Sequence, residues 1–208
     1  MKKTNQNGFT IIELMISTVI FSMILLLLTN GVISFTKSYY KGVTEANTQH
    51  VTRLIIESIT QSIQLNSASY TTANPANGWQ GFCFGNETYV FKLNYQLVDS
   101  NPDINTYQTS HALLKGSFPG SCLGVNADTL SNTLINPEEM LSPSMRLADL
   151  TIVPLTNGLY SLAVNVVYGD YDLLLNPLTK TPSCASLAGS QFCAVSGLST
   201  VVQKRIQQ

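Results

Sequence analysis

The apolar positions of this chain form an unbroken run near the amino terminus, then a helical repeat, and then an alternating pattern. Residues 9–28 are almost continuously apolar, and the sequence stays weakly apolar as far as Phe35. A run of about 20 apolar residues is long enough to cross a bilayer as a helix. No proline occurs before Pro75, so the pattern predicts one helix from about residue 10 to residue 65. Beyond the run, the helical repeat is carried by Val43, Ala46, His50, Leu54, Ile55, Ile59, Ser62 and Ile63.

The second half of the sequence has the spacing of β-strands. Residues 67–81 are rich in turn-forming residues and predict a connection. Apolar and polar side chains then alternate over residues 88–97 and 159–168, and residues 145–153 and 199–206 are further strand candidates. These elements predict an α+β fold, in which a long N-terminal helix packs its amphipathic half on an antiparallel β-sheet.

A second, short helix is predicted at residues 136–141. Asn136 suits the cap position, Pro137 suits the first helical position, and Glu138 and Glu139 would complement the helix dipole. The sequence contains no internal repeat, and 208 residues are the natural size for one domain behind a long helix.

A single carboxylate, Glu13, lies inside the apolar run. A carboxylate at the centre of a bilayer costs about 2.5–3.5 kcal/mol and usually has a specific partner. The run is longer than the apolar core of a secretory signal peptide, about 7–15 residues, and no small-residue cleavage site follows it. An ordinary single-pass anchor fits the length but gives Glu13 no purpose. The structural alternative is that Glu13 only extends to the membrane interface.

The residues around Glu13 form a second, more specific pattern. Lys2 and Lys3 precede a polar leader, and then comes the segment Gly8-Phe9-Thr10-Ile11-Ile12-Glu13-Leu14. This arrangement resembles the class III signal of type IV pilins and type II secretion pseudopilins, and the close resemblance covers roughly the first 30 residues. The resemblance implies that a prepilin peptidase cleaves after Gly8 and methylates the new amino terminus at Phe9. It also implies that Glu13, about 6 Å along the helix from that terminus, pairs with the amino terminus of a neighbouring subunit during assembly.

The resemblance further implies a type IV pilin-like division of the chain into four parts. These would be a cleaved leader (residues 1–8), a transmembrane helix that becomes the filament core (9–36), an amphipathic helix continuing into the exported domain (37–66), and a β-rich exported domain (67–208). The protein would cross the cytoplasmic membrane once, with its C-terminal domain outside, and would then join an extracellular or periplasmic filament.

In size and pattern the chain is most similar to minor subunits of this family, namely the J-type pseudopilin and its W-type minor-pilin counterpart. The implied function is a processed subunit that assembles into, or primes, a type IV pilus or a type II secretion pseudopilus. The implied partners are other pilin or pseudopilin subunits, prepilin peptidase, the inner-membrane assembly platform and, before assembly, membrane lipid; no cofactor is implied. The alternative function is a filament-displayed adhesin or a DNA-uptake receptor, and nucleic acid would be a partner only in a DNA-uptake pilus.

Four cysteines follow the long helix: Cys83, Cys122, Cys184 and Cys193. An even number on the side predicted to be exported indicates disulfides formed in an oxidising compartment. Of the three possible connectivities, we favour the sequence-adjacent pairs Cys83–Cys122 and Cys184–Cys193. The alternative, a structural zinc site, would need paired C-x₂-C spacings that this sequence lacks.

Candidate chemistry elsewhere is sparse. Charged residues make up 11% of the chain, against about 25% in typical soluble domains, and the net charge of −1 gives no indication of dedicated nucleic-acid binding. His50 and His111 lack a nucleophile or carboxylate at a catalytic spacing, so no catalytic residue is predicted and a membrane-anchored enzyme is the least favoured alternative. Residues 99–105 resemble the start of a calcium loop without its glycine and final acid, and Asp170 and Asp172 are a second weak candidate. No metal site is therefore predicted.

Overall fold

The computed structural model of the protein describes residues 10–98 and 108–205. It contains two compact units, one ending at Tyr40 and the other comprising Lys41–Gln208. Helix α1 spans Ile11–Leu65 and contributes all of the described secondary structure of the first unit. The predicted long helix is therefore confirmed almost to the residue.

The described part of the second unit contains the end of α1, one short α-helix, twelve strands and three single-turn 3₁₀ helices. The short helix α2 spans Ala127–Thr133. The strands are β1 (Tyr70–Thr72), β2 (Trp79–Phe84), β3 (Glu87–Lys92), β4 (Gln96–Leu97), β5 (Gln108–Thr109), β6 (Leu113–Ser117), β7 (Ile135–Glu139), β8 (Met145–Pro154), β9 (Leu159–Tyr168), β10 (Leu174–Leu175), β11 (Ser183–Cys184) and β12 (Ala194–Gln203).

These strands form two five-stranded sheets and one two-stranded ribbon. The first sheet has the order β1-β2-β3-β6-β7, the second has the order β12-β9-β8-β4-β5, and β10 pairs with β11. Among the named strands, all pairings are antiparallel except the two-residue pairing of β4 with β5. The predicted α+β class is confirmed, although two sheets take the place of the single sheet that was expected.

The end of α1 packs against both sheets. Ile55, Ile59 and Ile63 are at most 1% exposed, and they share one core cluster with side chains of the first sheet, such as Phe82, and of the second sheet, such as Leu162. Fully burying an aliphatic side chain of this size contributes about 1.5–3 kcal/mol. These three isoleucines therefore provide much of the attachment between the helix and the sheets.

The predicted apolar stripe of α1 is right from Ile55 onward and wrong before it. Val43, Ala46, His50 and Leu54 are exposed, and the buried positions are Thr48, Val51 and Thr52. The hydroxyls of both threonines donate to carbonyls one helical turn earlier, at 2.7–2.8 Å. Because these hydroxyls are satisfied inside the helix, threonine can occupy a core position that the hydrophobic spacing alone did not assign to it.

A polar network also connects α1 to the first sheet. The phenol oxygen of Tyr89, on β3, lies 2.7 Å from the Ser62 hydroxyl and 3.0 Å from the Ser58 hydroxyl. Lys115, on β6, donates from Nζ to the Ser58 hydroxyl at 2.9 Å. Tyr89 is fully buried, so these bonds satisfy a phenol that would otherwise be costly to remove from water. They also fix where the helix crosses the sheet.

The segment predicted as one strand at residues 88–97 is two strands in different sheets. Strand β3 ends at Lys92, and the chain turns at Asn94, which has a φ of 64°. Asparagine adopts this left-handed conformation more readily than other non-glycine residues. The alternation predicted that one face of this strand is polar. Val90 lies on that face, yet it is fully buried in a second core cluster, which also contains Leu114 of β6 and Leu130 of α2. Strand β3 is therefore covered on both faces.

The other strand predictions have mixed outcomes. The strand at residues 159–168 is confirmed at both ends, and the strand at residues 145–153 is confirmed with one added residue. The last strand begins at Ala194 and ends at Gln203, several residues earlier at both ends than predicted. The predicted connection at residues 67–81 contains the three-residue strand β1 and the start of β2.

The prediction of a short helix at residues 136–141 is wrong, because residues 135–139 form strand β7. The carboxylate of Glu139 accepts hydrogen bonds from the backbone N–H groups of Ala112, Leu113 and Leu141, at 2.9–3.2 Å. Burial raises the pKa of Glu139, while these donors and His111 act in the opposite direction. An extended backbone is needed to bring the carboxylate to these donors, so the tertiary contact overrides the local helix signal.

We predict that Glu139→Ala lowers the free energy of unfolding by about 2–3 kcal/mol, since it leaves buried backbone donors without an acceptor. The adjacent Glu138→Ala is the matched control, because Glu138 lies on the same strand with an exposed side chain. It should change stability by less than about 0.5 kcal/mol. Chemical denaturation of the two variants measures both values, and equal effects would contradict the role assigned to Glu139.

Candidate functional site at the amino-terminal end of helix α1

Glu13 and Thr10 form a reciprocal cap at the start of α1. The Thr10 N–H and the Thr10 hydroxyl both donate to Glu13 Oε2, at 2.9 Å and 2.8 Å. In return, the Glu13 N–H donates to the Thr10 hydroxyl oxygen at 3.3 Å. This is the capping-box arrangement, in which a Ser or Thr cap and a Glu or Gln three positions later satisfy each other's free backbone donors.

The capping box gives Glu13 a local role that the sequence analysis missed. The signal was present as Thr10-x-x-Glu13 ahead of an apolar run. Through this contact the carboxylate is held at the amino-terminal end of α1, where a negative charge also complements the helix dipole. Only Oε2 takes part, and Oε1 makes no hydrogen bond with any residue that the structure describes. Among residues 10–98 and 108–205, Oε1 therefore has no partner.

Four hydroxyl side chains of the apolar segment are satisfied within the helix itself. The Thr18 hydroxyl donates to the Met15 carbonyl oxygen at 2.9 Å. Ser22, Thr29 and Thr36 each donate to the carbonyl oxygen four residues earlier, at 2.7–2.8 Å. These hydroxyls need no partner outside the helix, as an apolar surrounding requires.

The apolar side chains of this segment are exposed in the part of the chain that the structure describes. All described residues from Thr10 to Val43 are exposed, among them large side chains such as Leu27 at 74% and Phe35 at 72%. By length and composition, α1 could cross a membrane. A continuous apolar surface of this extent on a monomer indicates burial in lipid or against other protein chains.

The predicted cleavage and methylation residues, Gly8 and Phe9, lie outside the described residues. The comparison of sequences does cover them: residues 3–29 match the family described as the prokaryotic N-terminal methylation motif. No curated protein and no solved structure matches the chain. By this motif, its long N-terminal helix and its β-sheet domain, the chain has the organisation of a type IV pilin-like precursor.

The four cysteines form the two pairs that the sequence analysis favoured. Cys83 on β2 is bonded to Cys122, with the Cα atoms 5.9 Å apart, and both residues are fully buried in the second core cluster. Cys184 on β11 is bonded to Cys193 immediately before β12, with a Cα separation of 5.8 Å. The second bond lies in a third cluster with Val167. Each disulfide thus ties a loop to one sheet.

The weaker candidates of the sequence analysis do not assemble into a site. His50 is exposed on α1, and His111 Nδ1 lies 3.7 Å from Glu139 Oε2. Asp170 accepts a hydrogen bond from Gln96 Nε2 at 3.1 Å. The calcium-loop candidate at residues 99–105 lies outside the described residues. Within the described ranges, 10–98 and 108–205, no three His, Cys, Asp or Glu side chains are grouped to hold a metal ion.

We predict that non-reducing peptide mapping of exported protein shows Cys83–Cys122 and Cys184–Cys193. Replacing Cys184 and Cys193 together by serine should lower the free energy of unfolding by about 2–3 kcal/mol, because the short closed loop no longer restricts the unfolded chain. Ser190→Ala in the same loop is the control and should change it by less than about 0.5 kcal/mol. Free thiols or crossed pairs in exported protein would contradict the assignment.

Proposed function

We propose that this chain is a minor pilin or pseudopilin subunit. A prepilin peptidase cleaves it after Gly8 and methylates Phe9, and the processed subunit assembles into, or primes, a type IV pilus or a type II secretion pseudopilus. The observation that carries the proposal is the methylation-motif match at residues 3–29, with Glu13 inside a helix long enough to span a membrane. The size and β-rich domain support a minor subunit.

The proposal assigns a role to each of four segments. Residues 1–8 are the leader, 9–36 the membrane and filament-core helix, 37–66 the helix that continues into the exported domain, and 67–208 the exported domain. The two cysteine pairs support export, because disulfides persist in oxidising compartments. Before assembly the subunit crosses the cytoplasmic membrane once, with its C-terminal domain outside.

Glu13 is proposed to pair with the amino terminus of an adjacent subunit. Its carboxylate is held by Thr10 through Oε2, which leaves Oε1 to accept from the incoming amine. Inside an apolar filament core, removing one partner of a buried ion pair costs about 3–5 kcal/mol. The pair would therefore favour one axial register between neighbouring helices and penalise the others. Other pilin subunits and the inner-membrane assembly platform are the partners this requires.

Processing is tested by co-expression with an active prepilin peptidase. Mass spectrometry of the purified protein should show the loss of eight residues and a methylated Phe9 terminus. Gly8→Leu should block the cut, because a bulky side chain intrudes where the peptidase must approach the backbone, whereas Asn7→Ala should be cleaved normally. An intact Met1 start beside active peptidase, or cleavage beyond Phe9, contradicts the proposal.

Assembly is tested with Glu13→Gln and Glu13→Val. Glutamine also serves in a capping box, so Glu13→Gln keeps the cap and removes only the charge, whereas Glu13→Val removes both. Both variants should insert into the membrane and be cleaved, since the site at Gly8 is unchanged. Both should fail to enter, or to prime, filaments, measured as the fraction of subunit recovered in sheared filaments and as filaments per cell.

The two variants also separate the charge from the cap. If Glu13→Gln assembles normally and Glu13→Val does not, the helix cap is what assembly needs and the charge-pairing role is wrong. If neither variant changes filament content, Glu13 has no part in assembly, and the protein is better described as a membrane-anchored exported domain.

A further inference from the structure

One long strand of the second sheet is paired along nearly all of one edge but along only part of the other edge. Strand β8 is paired with β9 along nearly all of its residues, from Met145 to Pro154. On its other side β4 pairs with it only at Gln96↔Arg146, and a single bridge joins Leu93 to Leu147. Beyond Leu147, the backbone groups on this edge of β8 have no hydrogen-bond partner among the described residues.

A groove opens beside this free edge. Its volume is about 310 Å³, and residues 150–152 of β8 form one wall. The opposite wall belongs to the first sheet and includes Tyr70, Gln80, Phe82 and Phe91. The groove therefore lies between the two sheets, with residues of β1, β2 and β3 on one side and residues of β8 on the other.

The groove combines the two elements that a strand-addition site needs. An open strand edge presents backbone N–H and C=O groups that an extended peptide can pair with, and an adjacent pocket can take alternate side chains of that peptide. The floor of the groove is apolar, because Leu150, Phe82 and Phe91 belong to the main core cluster. Thr72 and Gln80 at its rim are exposed.

We propose that residues 150–153 of β8 are an acceptor edge on which an extended, uncharged peptide segment of another protein docks by adding a strand. The free backbone groups of the edge require an extended segment, since a strand is the conformation that pairs with the alternate residues whose N–H and C=O groups face the open edge. No charged side chain is among the described residues that line the groove. The nearest charges are Lys180, whose Nζ lies 3.3 Å from Thr151 Oγ1, and Asp149, which pairs with Lys180 at 3.0 Å. Because these two charges neutralise each other, a charge buried in the groove would find no unpaired partner, which favours an uncharged segment. The aromatic floor favours an apolar side chain at its centre.

This interaction surface is independent of the proposed function. It rests on the second sheet and not on the methylation motif, so peptide binding and peptidase processing are tested separately. A subunit that fails to be cleaved at Gly8 could still bind peptide at β8, and the reverse also holds.

The experiment selects phage-displayed random heptapeptides on the full chain in detergent micelles. The groove-filled variant Gln80→Trp is used for counter-selection, because its indole would occupy the groove from an exposed rim position. The enriched peptides should be uncharged at their centre and should bind Gln80→Trp at least about tenfold more weakly than the wild type, by fluorescence anisotropy. Ser199→Trp, on the exposed face of β12, is the control and should bind like the wild type. Thr72→Trp replaces Gln80→Trp if circular dichroism shows that the latter is misfolded.

Backbone pairing is tested with the best synthetic peptide. Methylating alternate backbone nitrogens on one edge of the peptide should weaken binding by at least about tenfold, whereas methylating those on the other edge should leave it nearly unchanged. Hydrogen exchange at residues 150–153 should slow when the peptide is bound. The proposal is overturned if no peptide discriminates the wild type from the groove-filled variant, or if both methylated peptides bind alike.

Discussion

The exposed apolar surface of α1 sets the physical conditions under which this protein is stable. All described residues up to Val43 are exposed, and most of them are hydrophobic. Such a surface is stable only in lipid or against other apolar helices. Four hydroxyls of the segment, those of Thr18, Ser22, Thr29 and Thr36, donate to carbonyl oxygens of the helix itself, so either surrounding can accept these four groups without leaving them unpaired.

Glu13 is the exception within that surface, and its contacts account for how it is accommodated. The carboxylate closes a capping box with Thr10, which satisfies part of its hydrogen-bonding capacity within its own chain. A cap of this kind stabilises the start of the helix. It does not neutralise the charge, so an apolar environment still favours a cationic partner. The cap and the proposed pairing are therefore compatible, because they use different oxygens.

In the second unit, other parts of the chain pack against both faces of the first sheet and against the second sheet. The end of α1 fills the main core, α2 and the Cys83–Cys122 bond cover the other face of the first sheet, and the Cys184–Cys193 loop packs on the second sheet. The only charged side chain among the largest fully buried ones in the described residues is that of Arg146, whose Nη2 donates to the Gly169 carbonyl oxygen at 2.7 Å. Burial lowers the pKa of Arg146, and the neighbouring Asp170 opposes this effect.

The sequence by itself determined the features that depend on neighbours along the chain. The long helix, the strand Leu159–Tyr168 and the methylation motif around Glu13 all follow from local spacing and residue type. Tertiary structure decided the features in which distant groups compete with local preference. Residues 136–139 became part of a strand because the Glu139 carboxylate is held by the backbone of residues 112–113, and β3 separated from β4 because the chain changes sheets at Asn94. A contact between residues far apart in sequence does not change the local pattern of apolar and polar residues, so only the folded structure could reveal it.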